Sequence, residues 1–445
     1  EMCIRDRFWV CACTEIFERL AYYLGRSLIL IFVTASVATG GLGLSDTVAA
    51  NMQSNLTAFS YLLPLFGAVI VDKYIGARYT TPVGMFIAAA GYFTGGIAKS
   101  SAGVYAMIFL VSLGLALFKN GAIIGRVITD KSQMDPAFSM RYTLVNVGAF
   151  IGTFLVGILY KDVFAKDGVL GFAPCFKMAA LMMVLGGLWY IFVCWRFLGD
   201  LGKLPFKKTL TEEEKAAEAK KKEETGTKQP LTTIEKKRIG AIFVASLFSI
   251  VFWIFWYLGY MPVYFYWAEN MDWVVAGYQV PSTWFDAANS LFCVILGPVT
   301  AALWKKLAAR PQGDMSLFRK TGLGIAIIGV GYLFYAAIDI MRGGEKASVL
   351  WLIVFAFLLT MGEMFFSPLG HSFISKYSPS RYLAVMMSVW GFATFIAAKS
   401  YGPVYGLLFG GKIEFKVACI GVAVVSFAAA LIMIALDKTL SALVD

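Results

Sequence analysis

Four side chains that can carry a charge or a proton lie within the first long apolar segment of the chain. Glu15, Glu18, Arg19 and Tyr22 are related by steps of three and four residues, which place them on one face of a helix. Ionisable groups inside an apolar span usually face a protein interior or a water-filled cavity, where a carboxylate can exchange a proton beside a fixed cation. The alternative is a cluster at the water edge of the helix, with its side chains extending outward. The apolar run that resumes beyond Tyr23 favours the interior position.

The composition of the chain indicates a membrane protein. The chain has 445 residues, of which 59% are hydrophobic and 15% charged, and its mean hydropathy is +0.71. Average globular chains carry about 25% charged residues. Apolar stretches long enough to cross a bilayer, about 20 residues each, recur along the chain. Apolar and polar residues alternate too weakly within each stretch for the strands of a membrane β-barrel. We therefore predict an all-α polytopic membrane protein.

The positive net charge of the chain does not indicate nucleic-acid binding. The net charge is +11, but Lys and Arg are concentrated in short connections and in one linker, as the positive-inside rule predicts. No aromatic-interleaved basic patch is present, so we expect a lipid bilayer as partner and no nucleic acid. The seven cysteines form no Cys-x-x-Cys pair and there is one histidine, so no metal site is expected.

Matching the apolar runs to the thickness of a bilayer predicts twelve spans in two six-helix halves. The spans lie at 8–37, 48–71, 79–98, 103–128, 139–160, 174–197, 238–268, 282–304, 318–341, 348–374, 382–408 and 413–436. A charged linker at 198–237 separates an N-terminal bundle at 8–197 from a C-terminal bundle at 238–445. Residues 1–7 resemble the translation of a sequencing adaptor, and we expect them to be non-native.

The distribution of basic residues predicts the orientation. The even-numbered connections carry most of the Lys and Arg, among them Arg78, Lys131 and Arg141. These connections are expected on the cytoplasmic side of the inner (plasma) membrane, with both termini cytoplasmic. The linker is rich in Lys and Glu without an apolar stripe, which predicts a solvated helix or disorder.

A loop motif indicates a superfamily. The stretch from Gly67 to Arg78 includes Asp72 and resembles the conserved loop motif of the major facilitator superfamily. That resemblance implies a substrate site between two six-helix halves near mid-membrane, and an inner gate latched by Asp72 and Arg78.

The charged face of the first span resembles the signature of one family within this superfamily. Glu15-Ile16-Phe17-Glu18-Arg19-Leu20-Ala21-Tyr22-Tyr23 is similar to the Glu-x-x-Glu-Arg-Phe-x-Tyr-Tyr motif of the proton-dependent oligopeptide transporter family, with Leu20 in place of Phe. Similar family motifs lie in later spans: Phe118-Lys119-Asn120 (Phe-Lys-Pro-Asn without its proline), Tyr142 to Gly148, Phe252-Trp253, Trp284-Phe285 with Asn289, Gly362-Glu363 through Ser367-Pro368, and Met386 to Trp390.

The resemblance implies a secondary active transporter and not an enzyme. It implies a symporter that imports di- and tripeptides with protons by alternating access, with protons as coupling ion and no other cofactor. We expect a monomeric functional unit. The alternatives are the same mechanism with another small cargo, such as nitrate or a peptide-like metabolite, and a peptide receptor that does not transport. The seventh predicted span, at 238–268, is the reason to consider another cargo. There Phe252-Trp253 is not followed by the family's usual acidic and amide residues.

The resemblance and the physics of buried charge together give the candidate site. Proton coupling is assigned to Glu15, Glu18, Arg19, Lys119 and Glu363. Lys119 and Glu363 come from different halves, and an ion pair between them would brace one gate. Substrate binding is assigned to Arg19, Tyr22, Tyr23, Arg26, Tyr61, Lys119, Asn146, Trp253, Asn289, Glu363, Ser367 and Trp390, and gating to Asp72 and Arg78. The alternative for Lys119 is snorkelling from a helix end, and for each aromatic residue it is packing between helices.

Overall fold

A computed structural model of the chain describes residues 4–128, 134–205, 231–311, 313, 315–366, 370, 373–374, 377–379 and 382–444. The first part is helical. Its helices are α1 (Ile4–Thr34), α2 (Asp46–Lys73), α3 (Ala77–Ile97), α4 (Ser101–Leu117), α5 (Asn120–Val127), α6 (Met134–Ile158) and α7 (Phe172–Arg196). A 3₁₀ turn at Val37–Thr39 follows α1, and a π-helical turn at Leu159–Val163 extends α6.

The second part is also helical, with four strands of two residues each. Its helices are α8 (Thr233–Leu258), α9 (Met261–Tyr264), α10 (Tyr266–Asn270), α11 (Trp284–Ala308), α12 (Leu317–Met341), α13 (Trp351–Phe366), α14 (Leu383–Phe409), α15 (Phe415–Ala435) and α16 (Asp437–Val444). The strands are β1 (Met271–Asp272), β2 (Val274–Val275), β3 (Tyr278–Gln279) and β4 (Ala347–Ser348), paired β1 with β4 in parallel and β2 with β3 in antiparallel fashion.

Each of the twelve predicted spans contains an observed helix, and two of them are visibly broken in the residues that the structure describes. The predicted span 103–128 is two helices, because Phe118 and Lys119 have non-helical backbone angles. The predicted span 238–268 is interrupted after Leu258 and again at Phe265. A break in a membrane helix leaves backbone N–H and C=O groups without their helical partners. Neighbouring groups must therefore form hydrogen bonds with them at each break.

Seven helices in the described residues are long and apolar enough to cross a membrane: those beginning at Asp46, Met140, Phe172, Thr233, Trp284, Leu317 and Phe415. The first helix fails this criterion for a chemical reason. Every 18-residue stretch of α1 holds at least three charged residues, which is more than an ordinary span tolerates. The charged face predicted from the sequence is therefore what makes α1 unlike the other long helices.

The helices divide into two compact units. Unit 1 comprises Glu1–Leu210 and Val280–Leu291, and unit 2 comprises Thr211–Gln279 and Phe292–Asp445. The boundary near residue 210 falls inside the linker predicted at 198–237. The first two turns of α11, which the sequence assigns to the C-terminal bundle, group with unit 1.

In unit 1, α1 packs against α6 and α7, and α3 packs against α4 and α7. The α1–α6 contact is made by two glycines spaced four residues apart. A Cβ at Gly148 would lie 2.9 Å from the carbonyl oxygen of Ile16, and a Cβ at Gly152 would lie 2.5 Å from that of Leu20. Small residues at this spacing allow helix backbones to approach closely in membranes. The approach holds the charged face of α1 against the start of α6.

In unit 2, α12 packs against α13 and α15, and α8 packs against α14. Two buried tyrosines of α12 bind carbonyl groups near the C-terminal end of α8. The Tyr332 hydroxyl donates to the Phe255 oxygen at 2.7 Å, and the Tyr335 hydroxyl donates to the Gly259 oxygen at 3.2 Å. These bonds satisfy main-chain groups where α8 ends inside the apolar layer.

We predict that Gly152→Ala lowers the melting temperature of the detergent-solubilised protein. The added methyl group would press on the Leu20 carbonyl, and overpacking of this kind destabilises by about 1–3 kcal/mol. Thermal unfolding measures the change. The matched control is Gly240→Ala in α8, where a Cβ meets nothing within 4 Å and the substitution only improves helix propensity. Equal melting temperatures for the two variants would contradict the close approach of α1 and α6.

Candidate functional site

The two glutamates of α1 are buried and each is bound by a guanidinium group. Glu18 has no exposed surface and accepts two hydrogen bonds from Arg19, the next residue along the helix. The Arg19 side chain remains 25% exposed. A buried carboxylate with a bidentate guanidinium partner is a charge pair of good geometry, which buried ion pairs require. Glu18 therefore lies in the protein interior, as the sequence predicts for this face of α1.

Glu15 is bound by side chains from two other helices. Arg141 of α6 donates from Nε to Glu15 Oε1 at 2.9 Å, and Asn120 of α5 donates to the same oxygen at 3.2 Å. The Asn120 amide also donates to the Cys11 carbonyl oxygen at 2.9 Å. The Glu15 side chain is 2% exposed and that of Arg141 is 30% exposed. One carboxylate therefore ties together α1, α5 and α6.

Sequence reasoning missed Arg141 as a site residue. It was assigned to a cytoplasmic connection, whereas it lies inside α6, two turns before Gly148. The predicted span at 139–160 already includes Arg141, which was the available signal. The observed helix begins at Met134 and places Arg141 on its packed face. Asn120, quoted only as part of a motif, was likewise not named for the site.

Aromatic rings lie beside the cations of α1. The Arg19 guanidinium lies 4.9 Å from the ring centroid of Tyr22, and that of Arg26 lies 6.0 Å from the centroid of Tyr23. Tyr22 and Arg26 are buried, whereas the predicted substrate contact Tyr61 in α2 is exposed. Cation–π contacts of this kind are worth about 0.5–1 kcal/mol where exposed and more when desolvated.

Lys119 lies at the break between α4 and α5. Its side-chain amino group donates to the Pro64 carbonyl oxygen at 2.8 Å, and its backbone N–H donates to Thr81 Oγ1 at 3.3 Å. The broken helix thus uses α2 and α3 to satisfy groups that an unbroken helix would pair internally. The predicted ion pair between Lys119 and Glu363 stays a prediction, because the two residues belong to different units.

The first turns of α11 bring a further buried carboxylate to unit 1. The Ser27 hydroxyl of α1 donates to Asp286 Oδ2 at 2.7 Å. The Trp284 indole N–H donates to the Phe154 carbonyl oxygen at 3.1 Å, and the Trp284 and Phe154 rings stack at 4.7 Å. Asn289, predicted as a substrate contact, is buried one turn after Asp286. Sequence reasoning missed Asp286, although an acid inside a predicted span was the available signal.

In unit 2 the candidate residues lie around α13. Glu363 is partly buried, and the Cys293 thiol of α11 lies 3.8 Å from Glu363 Oε2. Three residues further along, the Phe366 ring stacks on Phe252 at 4.0 Å and faces Trp253 and Trp390 at 6.1 and 6.3 Å between centroids. The two predicted tryptophans are therefore joined through one phenylalanine near Glu363.

The remaining predicted residues have separate positions. Asn146 donates to the Tyr142 carbonyl oxygen of its own helix at 3.0 Å. Arg78 donates to the carbonyl oxygens of Cys194 and Gly199, at and beyond the C-terminal end of α7, where a cation complements the helix dipole. The side chain of Asp72 and all of Ser367 lie outside the described residues. No group of three or more His, Cys, Asp or Glu that could hold a metal occurs in the described part of the chain.

Comparisons with known proteins give a family match over part of the chain. The model of the POT family, the proton-dependent oligopeptide transporters, matches residues 201–409. The uncharacterized transporter YclF of Bacillus subtilis is 25% identical over 87% of this chain and 84% of its own length. A di-/tripeptide transporter of Lactococcus lactis subsp. cremoris is 24% identical over 85% of this chain and 84% of its own.

Solved structures agree on the fold. A peptide transporter POT crystallised with sulfate superposes with a TM-score of 0.87 at 22% identity, covering 99% of this chain and 96% of that one. A POT family transporter in complex with 5-aminolevulinic acid has a TM-score of 0.85 at 23% identity, covering 97% and 96% of the two chains. Residues 201–409 therefore match the POT family, and the chain as a whole shares the fold of the POT family structures.

These comparisons confirm several expectations from the sequence. The resemblance to this family, predicted from the charged face of α1, is confirmed, and so is the fold class, an all-α polytopic membrane protein of the major facilitator type. The protein is a transporter rather than an enzyme. The family model begins at residue 201, so the charged face of α1 lies outside the matched range.

We predict that Arg19→Met destabilises the folded protein by about 3–5 kcal/mol, because it leaves the Glu18 carboxylate buried without its guanidinium partner. Thermal unfolding in detergent measures the effect. The double variant E18Q/R19M removes both charges and is expected to recover most of the loss. An Arg19→Met variant as stable as the wild type would contradict the pairing.

Proposed function

We propose that this protein is a proton-coupled symporter that imports di- and tripeptides by alternating access. The observation that carries the proposal is the pair of buried glutamates on α1, each bound by a guanidinium group. A coupled carrier needs a carboxylate whose charge changes during the cycle and a partner that responds to that change. The names of several relatives, di-/tripeptide transporters and a peptide transporter of Yersinia enterocolitica, support the same cargo.

The chemistry of a peptide suits the charges that the two units supply. A short peptide is a zwitterion with fixed termini and variable side chains. Arg19 and Lys119 of unit 1 are the cations proposed for its carboxylate end, and Glu363 of unit 2 is proposed for its ammonium end. Tyr22, Trp253 and other aromatic side chains offer apolar walls with polar edges, which tolerate different peptide side chains.

The proton is the coupling ion in this proposal. Protonation of a buried carboxylate weakens its attraction for a neighbouring guanidinium, and substrate binding that favours the protonated state makes uptake depend on the proton gradient. We place the protein in the inner (plasma) membrane with both termini cytoplasmic, as the basic connections predict. A monomer is the proposed functional unit.

A second candidate function keeps this mechanism with a different small cargo. The observation that favours it is the aromatic character of α8, where Trp253 contacts Phe252 and Trp256, with centroids 5.1 and 5.4 Å away, and no acid follows in the helix. One structural neighbour was crystallised with 5-aminolevulinic acid, a small amino acid. A counterflow panel of dipeptides, tripeptides, nitrate and small amino acids in proteoliposomes separates the two candidates.

We predict that Glu363→Gln lowers proton-driven dipeptide uptake at least about tenfold, within the range of typical coupling free energies. The amide keeps the shape of the side chain but cannot change its charge. Uptake into proteoliposomes with an alkaline interior measures the effect. The matched control, Glu345→Gln, changes an exposed glutamate of unit 2 and is expected to leave uptake unchanged. Undiminished pH-driven uptake by the Glu363 variant would count against the proposal.

A further inference from the structure

A cavity of about 300 Å³ lies between α3 and α7, and we call it the α3–α7 groove. Its walls are apolar side chains that remain exposed, among them Val83 of α3 and Ile191 of α7. No residue proposed for substrate or proton binding lines it. The groove is therefore separate from the candidate site, and its volume lies at the lower end of the range for ligand pockets.

The groove is closed at one end and open at the other. The closed end is formed by the Phe86 ring, which packs over α7, since a Cβ at Gly187 would lie 2.9 Å from Phe86 Cε1. The open end lies near the start of α3 and the last turn of α7, where Arg78 and Trp195 line it. This is the end of both helices that we place on the cytoplasmic side.

Two arginines supply positive charge at the open end. Arg78 is the second residue of α3, and its guanidinium donates to the carbonyl oxygens of Cys194 and Gly199. A guanidinium has five N–H donors, so further donors remain for a ligand. Arg196 is the last residue of α7, directly after Trp195, and is exposed.

These two charges are not balanced by nearby acids. Neither Arg78 nor Arg196 forms an ion pair with a carboxylate in the part of the chain that the structure describes. The described acid closest in sequence to Arg196 is Asp200, and its carboxylate is bound by Lys203 at 2.6 Å. The open end of the groove is therefore complementary to an anion.

The aromatic residues and the backbone of α3 indicate which kind of anion fits. Trp195 is 77% exposed and Tyr79 is also exposed, and both residue types prefer the depth of lipid headgroups. Pro82 has no N–H, so the Arg78 carbonyl oxygen lacks the donor that a helix normally supplies four residues later. A ligand with a phosphate, a hydroxyl donor and an apolar chain would match the arginines, this oxygen and the walls.

We propose that the α3–α7 groove binds an acidic phospholipid of the cytoplasmic leaflet, with its phosphate on Arg78 and Arg196 and an acyl chain against Val83 and Ile191. Basic pockets between membrane helices on the cytoplasmic side are suited to such headgroups. A free phosphate would leave the apolar walls without a partner. The inference goes beyond the proposed function, because it depends on the membrane orientation proposed there and not on the cargo.

The test compares phosphatidylglycerol with phosphatidylcholine of the same acyl chains, added to the purified protein in detergent. Native mass spectrometry measures how much of each lipid stays bound. The wild type is expected to prefer phosphatidylglycerol at least about fivefold, the factor for one basic residue near an anionic surface. Phosphatidylglycerol is also expected to raise the melting temperature, because a ligand of the folded state stabilises it.

Two variants separate the headgroup from the chain. Arg196→Gln removes one cation, and we expect about fivefold weaker binding of phosphatidylglycerol with phosphatidylcholine unchanged. Val83→Trp fills the groove and is expected to weaken both lipids and to abolish the rise in melting temperature. Arg78 is left intact, because its loss would also release the end of α7.

The matched controls are exposed residues of unit 2. Arg310→Gln and Val424→Trp repeat the two changes on α15 and beyond the end of α11, and are expected to leave lipid binding unchanged. Melting temperatures without added lipid show whether each variant is folded.

Several results would overturn the proposal. One is equal binding of the two lipids by the wild type, and another is a preference that survives both Arg196→Gln and Val83→Trp. An equal loss in Arg310→Gln would show only general attraction to positive charge. Displacement of phosphatidylglycerol by excess inorganic phosphate would indicate a site for free anions. Peptide uptake enters none of these measurements, so a failure of peptide import is distinguishable from a failure of the lipid site.

Discussion

The pairing of buried carboxylates with guanidinium groups is the interaction on which unit 1 depends. Glu15 and Glu18 lie in a helix packed on two sides by apolar neighbours, and an unpaired charge in that position would be strongly destabilising. One partner comes from the same helix and the other from α6. The packing of α6 on α1 is therefore specified by charge as well as by shape.

The two units contribute different chemistry to the molecule. Unit 1 pairs the carboxylates of α1 with guanidinium groups from α1 and α6. Unit 2 offers a partly buried carboxylate, Glu363, next to the Cys293 thiol and a layer of stacked rings built on Phe366.

The sequence predicted the fold and the charged face well, for physical reasons. Long apolar runs report bilayer spans directly, and steps of three and four residues report a helical face. The helix break at Lys119 was not predicted, because the groups that satisfy its backbone, such as Thr81, are distant in sequence. Arg141 and Asp286 were missed because their partners, Glu15 and Ser27, are more than a hundred residues away.

The glycines at 148 and 152 limit how this region can move. They bring the backbone of α6 so near to α1 that rotation of either helix about its own axis would carry larger side chains into the contact. Rearrangement around Glu15 is therefore left to rotamer changes and to the short α5 segment, which is joined to α4 by two non-helical residues. Unit 1 thus combines a close contact between α1 and α6 with the short helix α5 beside Glu15.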